Sequence, residues 1–188
     1  MANLSNIRVS SRYATALFEL AVEYKQLDVV KKDMELVVSV VESSRDLVLV
    51  FRSPLVNVDK KIKILESIFS QTISKLTFSF LALITRKGRI VHLDTIADGF
   101  MKLFKEHNRI KTVYIDSAAE MDSKVKDRIK QKLAEHTGYS IELHSSVQPS
   151  LIGGFRLRYD DFMYDLSLKK KLLSLRKEFE TNIYKRKI

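Results

Sequence analysis

The sequence contains no cysteine, which removes disulfides, a thiol nucleophile and any cysteine metal site from consideration and suits a reducing compartment. Long apolar runs are also missing. The most apolar stretch, residues 78–84, is far shorter than the roughly 20 residues a membrane-spanning helix needs. The opening MANLSNIRVSSRYATALF lacks a basic flank, an uninterrupted apolar core and a small-residue cleavage site, so no secretory signal is expected. No glycine-rich loop ends in Lys-Ser or Lys-Thr, which argues against ATP binding through a P-loop. The histidines, His92, His107, His136 and His144, form no i, i+4 pair enclosing a carboxylate, as a helical zinc site requires. There is no nucleophile elbow, and the adjacent Asp160 and Asp161 read as turn formers rather than an acid–base pair. No catalytic residue, metal or cofactor is therefore expected. Neither an internal repeat nor a low-complexity linker interrupts the chain.

What is present is a core and a basic charge. With 188 residues and 45% hydrophobic content the chain can fold as one medium domain or two small ones. Its net charge of +10 is unevenly spread. Residues 167–188 hold 8 Lys+Arg against 2 Asp+Glu, which is the whole excess of the second half. Such a face favours an acidic protein, nucleic acid or anionic lipid, or is simply solvated. Lys169, Lys170 and Lys171 fall in the first turn of a predicted helix, where the dipole disfavours cations, so their placement points to another use.

Helical periodicity dominates residues 1–107. Ser10 or Ser11 can cap a first helix in which Tyr13, Leu17, Leu20 and Tyr24 form one stripe and Ala14, Phe18 and Ala21 a second. Asp28 opens a second helix. A short third, residues 45–51, stops before Pro54, and Asn57 caps a fourth. Residues 72–87 place Ile73, Leu76, Phe80, Leu83 and Ile84 on one face of a fifth, with Gly88 as its stop, and residues 90–107 form a sixth. These predict a six-helix bundle.

Beyond residue 108 the pattern becomes mixed. Residues 109–116 are β-branched and extended; Asp122 can cap a helix ended by Gly138; residues 139–147 alternate as a strand that Pro149 terminates. Phe155, Leu157 and Tyr159 alternate with Arg156 and Arg158, and after a reversal Phe162, Tyr164 and Leu166 alternate with Met163 and Asp165, which reads as a hairpin. Ser167 is the expected N-cap of a last helix carrying Leu168, Leu172, Leu175, Phe179 and Ile183. The predicted fold is mainly α, with a helical bundle over residues 1–107 and a small α+β domain over 108–188.

Ile152-Gly153-Gly154-Phe155, an acidic reversal, Asp165-Leu166-Ser167 and a leucine-spaced basic helix together resemble the C-terminal signature of the delta subunit of F-type ATP synthases, the counterpart of the mitochondrial oligomycin-sensitivity-conferring protein. Arg12-Tyr13-Ala14 with Ala16 and Phe18, Lys87-Gly88-Arg89 followed by Leu93, and Ser117-Ala118-Ala119 are similar to further motifs of that family in the same order. One position departs from it: Leu166 stands where the family usually carries Gly, so a positive φ there would be strained.

The resemblance implies a stator subunit that clamps the catalytic head to the peripheral stalk, couples proton transport to ATP synthesis and performs no chemistry. It would lie peripherally on the cytoplasmic side of a bacterial cell membrane. By the family's pattern the bundle receives the N-terminal helix of an alpha subunit on its first and fifth helices, through Tyr13, Ala16, Leu17, Leu20, Phe80 and Leu83. The last part would hold the C-terminal end of the stalk b subunits through Lys169, Lys170, Leu172, Leu175, Arg176 and Phe179. Two alternatives stay open on residues alone: the apolar residues of the first and fifth helices are all core, or the basic helix with Arg156 and Arg158 binds nucleic acid.

Overall fold

A computed structural model describes residues 4–160 and 162–181; the predicted contributions of Asp161 and Ile183 lie outside the described residues. The fold is mainly helical with one small sheet, and it divides into two compact units, Met1–His107 and Asn108–Ile188.

The first unit contains α1 (Leu4–Glu23), α2 (Leu27–Ser43), α3 (Arg45–Arg52), α4 (Val58–Phe69), α5 (Lys75–Arg86) and α6 (Leu93–His107), with a 3-10 turn at Ile90–His92 before α6. Helix α1 begins six residues before the predicted serine cap. Ser10 is instead buried in mid-helix, on the row 10, 14, 17 and 21 that packs along α6. That row works because it is small: a methyl added at Gly99 of α6 would sit 2.9 Å from Ala14 Cβ. Phe18 flanks the crossing, edge-on to Phe100 at 6.3 Å and to His107 at 5.5 Å.

Two buried polar groups join the remaining helices. Asp33 of α2 accepts hydrogen bonds from the Ser74 amide at 2.9 Å and the Thr77 hydroxyl at 2.8 Å, tying down the start of α5. Ser74 caps that helix, accepting from Thr77 N at 3.3 Å, so α5 starts three residues after the predicted residue 72. Lys61 of α4 donates to the carbonyls of Phe51 at 2.9 Å and Ser53 at 2.8 Å, satisfying the end of α3. Asn57 and Asp122 stand at the N-cap positions of α4 and α7 as predicted, though without a side-chain capping bond, whereas α2 opens at Leu27 behind Gln26, one residue before Asp28.

The second unit runs β1 (Ile110–Ser117), α7 (Ser123–Thr137), β2 (Ser140–Val147), a 3-10 turn at Pro149–Leu151, β3 (Phe155–Tyr159), β4 (Phe162–Asp165) and α8 (Leu168–Thr181). The sheet order is β2-β1-β3-β4, with β1 parallel to β2 across α7 and the β3–β4 hairpin antiparallel. On one face Val113, Ile115 and Leu157 form the core beneath Ile129 and Leu133 of α7. The other face carries Tyr114, His144, Asp116, Arg156 and Arg158, consistent with their alternation along paired strands.

The double glycine closes this unit. Gly154 has φ +74, and a Cβ there would collide with the Leu166 carbonyl, while a Cβ on Gly153 would meet the Leu168 side chain. Leu166 is not among the non-glycine residues with positive φ; Ile152 (φ 67) and Asp160 (φ 46) carry the left-handed angles of this region. The departure from the family's usual Gly is thus accommodated without strain at Leu166.

Candidate functional site

The first surface lies between α1 and α5. A groove of about 370 Å3 is lined by Leu20, Tyr24, Leu76, Phe80 and Leu83, with Lys75 and Ser79. Leu20 is 40% exposed, Tyr24 59% and Leu83 47%, so this is apolar surface left open on the unit. Ser79 and Leu83 also border a second depression of about 460 Å3 with Phe78, Ala82 and Arg86. Helix α5 therefore presents apolar surface on both sides of that pair.

Of the residues predicted for this surface, Leu20, Phe80 and Leu83 line the groove. Tyr13 is half-buried and Ala16 exposed; at 7 and 4 residues before Leu20 they continue its helical face toward the start of α1. Leu17 differs from them in being fully buried, in the row facing α6. The view that every apolar residue of α1 and α5 is core fails at Leu20, Tyr24 and Leu83. Sequence reading missed Lys75 and Leu76 as lining and put Tyr24 only on a stripe, although 76, 80 and 83 repeat at helical spacing.

The second surface is α8. Ser167 caps it as expected, accepting from Lys170 N at 3.2 Å, and its own amide donates to Asp165 Oδ1 at 3.0 Å. Arg156 reaches the same carboxylate with Nε at 3.2 Å and Nη2 at 3.1 Å. Hydrogen bonds from Ser167, hydroxyl first and then amide, outweigh desolvation and with Arg156 hold the Asp165 carboxyl below its usual range. The start of α8 is thereby locked to the hairpin. Beyond that lock every side chain from position 168 to 179 is exposed, Leu172 by 54% and Phe179 by 75%.

The predicted residues of α8 do not form one patch. Leu172, Leu175 and Phe179 share a face and Lys169 and Arg176 border it, but Lys170, two residues before Leu172, lies on the opposite side of the helix. On the sheet, Arg156 pairs with Asp165, and Arg158 Nη2 lies 3.7 Å from Asp116 Oδ2. Among the described residues no cluster of three or more His, Asp or Glu could hold a metal ion, and no helix is long and apolar enough to cross a membrane.

The sequence profile described as ATP synthase delta (OSCP) subunit matches residues 9–179. The ATP synthase subunit delta of Lachnoclostridium phytofermentans is 34% identical over 170 residues, covering 90% of this chain and 93% of the relative. That of Pelodictyon phaeoclathratiforme is 36% identical over 174 residues, covering 93% and 98%. A chain of the Toxoplasma gondii mitochondrial ATP synthase hexamer shares the fold with a TM-score of 0.69 at 22% identity, covering 91% of this chain and 97% of that one. The chain belongs to the ATP synthase delta (OSCP) subunit family and is a structural, non-catalytic subunit of ATP synthase.

Proposed function

We propose that this chain is the stator link of an F-type ATP synthase, holding the catalytic head with residues 1–107, a six-helix bundle, and the peripheral stalk with residues 108–188. The observation that carries this reading is that each compact unit leaves a different apolar surface open, a groove on the first and a whole helix on the second. The α1–α5 groove suits an amphipathic helix laid between two helices. Along α5 it runs from Lys75 to Leu83, which at about 1.5 Å per residue spans roughly two helical turns. Its occupant is the N-terminal helix of an alpha subunit, with Leu20, Phe80 and Leu83 as anchors and Tyr13 and Ala16 extending the contact. The exposed basic helix α8 receives the C-terminal end of the stalk b subunits.

The task is mechanical. A rotary motor delivers torque to its catalytic head only when that head is kept from turning with the rotor. Fully burying a leucine side chain contributes about 1.5–3 kcal/mol, and association costs several kcal/mol of lost freedom, so a groove with few anchors binds modestly alone. Joined to a second contact on the same chain, each interface raises the effective concentration of the other. The chain accordingly sits peripherally on the cytoplasmic side of a bacterial cell membrane, as part of the complex.

The test is titration of the full chain with the amino-terminal segment of the alpha subunit. Leu20→Asp and Ala16→Asp are expected to abolish binding while circular dichroism stays unchanged, because both positions are exposed. Undiminished binding by Leu20→Asp would overturn the assignment of the groove.

A further inference from the structure

Apolar side chains recur along α8 at Leu168, Leu172, Leu175 and Phe179, at intervals of 4, 3 and 4. Alternating steps of 4 and 3 follow the d-a-d-a seam of a coiled coil. All four are open, by 47%, 54%, 41% and 75%, and Leu168 packs partly over Gly153, which roots the seam in the second unit. At about 100° per residue, Lys169 and Lys171 fall on the two sides of the seam, at e and g, while Lys170 falls at f on the back of the helix. The three consecutive lysines are therefore not equivalent.

We propose, building on the reading of α8 as the stalk-binding end, that α8 pairs with its partner as one strand of a coiled coil, and that Lys169 and Lys171 select a helix bearing acidic residues beside its own apolar seam. Charge identifies the occupant. From position 168 to 179 the helix carries Lys169, Lys170, Lys171, Arg176 and Lys177 against Glu178. A parallel second copy would set Lys171 of one chain opposite Arg176 of the other, like against like, whereas Glu or Asp on the partner pairs with both. Lysines in the first helical turn work against the helix dipole, and carboxylates brought by a partner offset that cost. Lys170 faces solvent and takes no part.

The experiment titrates the full chain with the soluble helical part of the stalk from the same complex. It adds two synthetic helices carrying Leu at a and d, with either Glu or Lys at e and g. The double variant Lys169→Glu/Lys171→Glu is expected to bind the stalk at least about tenfold more weakly, or about 1.4 kcal/mol. Its salt dependence flattens and its preference moves from the Glu helix to the Lys helix. Lys170→Glu is expected to change binding by less than about twofold, as an outward charge should. Equal damage from Lys170→Glu would show bulk charge rather than register and overturn the inference. So would a double variant without effect. Leu172→Asp separates the two layers: if it abolishes stalk binding while the lysine variants do nothing, the stalk reading stands and this one falls, and if it binds normally the stalk reading itself falls. Self-association of the wild-type chain that Leu172→Asp removes would assign the seam to a second copy and refute the acidic partner.

Discussion

The two units use apolar residues in opposite ways. Among the described residues, nineteen buried hydrophobic side chains belong to Met1–His107 and four to Asn108–Ile188. In the first unit, most apolar surface is consumed by helix packing, and what stays open includes the α1–α5 groove and the depression beside it on α5. In the second, a small core under α7 holds the sheet, while α8 displays its leucines to solvent along its length. The difference teaches that the two units distribute apolar residues differently: the first buries most of them in a core, and the second leaves the side chains from 168 to 179 of one helix exposed.

The contrast breaks most readily at a pair of leucines. Leu17→Ala, in the α1–α6 row, is expected to cost about 2–5 kcal/mol in chemical denaturation, and Leu172→Ala, on α8, to stay within about 0.5 kcal/mol. Equal losses would mean that α8 is packed like α1. Next in size is Thr77→Val, which removes one of the donors to buried Asp33 and should cost about 1–3 kcal/mol, lowering the melting of the first unit. Gly154→Ala forces a side chain into a left-handed angle costing about 1–2 kcal/mol and against the Leu166 carbonyl, so its damage, read by hydrogen exchange, should fall on the second unit.

The smallest effect depends on pH. The folded carboxyl of Asp165 titrates lower than in the unfolded chain, so the stability it contributes is present above the unfolded value and is lost as pH falls through the folded one. Acid should therefore loosen the start of α8, and Asp165→Asn should remove that part of the pH dependence. Circular dichroism of both proteins between neutral and acid pH checks this; identical acid limbs would count against the lock formed by Arg156, Asp165 and Ser167.

Element order was largely legible because it rests on periodicity. The hairpin, the Ser167 cap and the stop at Gly88 follow from local chemistry that tertiary structure did not override. The losses came where polar residues occupy apolar positions. Ser10 reads as a cap but is buried in mid-helix, and Thr77 and Thr85 sit on the buried face of α5, where hydrophobic spacing cannot register them. Asp33 and Lys61 are likewise buried through partners distant in sequence. On the surfaces, Leu20, Phe80 and Leu83 line the groove, whereas Leu17 shares a predicted stripe with Leu20 but is buried against α6, a difference that spacing alone does not register. Lys169 and Lys170 are adjacent in sequence yet about 100° apart around α8, a separation that only the helix itself makes plain.

The most direct measurement of the two-ended account is a bridging assay, with catalytic heads immobilised and stalk retained only through the full chain. The account predicts that Leu20→Asp releases the head while still binding stalk, and that Leu172→Asp releases stalk while still binding the head. If either substitution abolished both contacts in a folded protein, or neither, the division of labour between the two units would be contradicted.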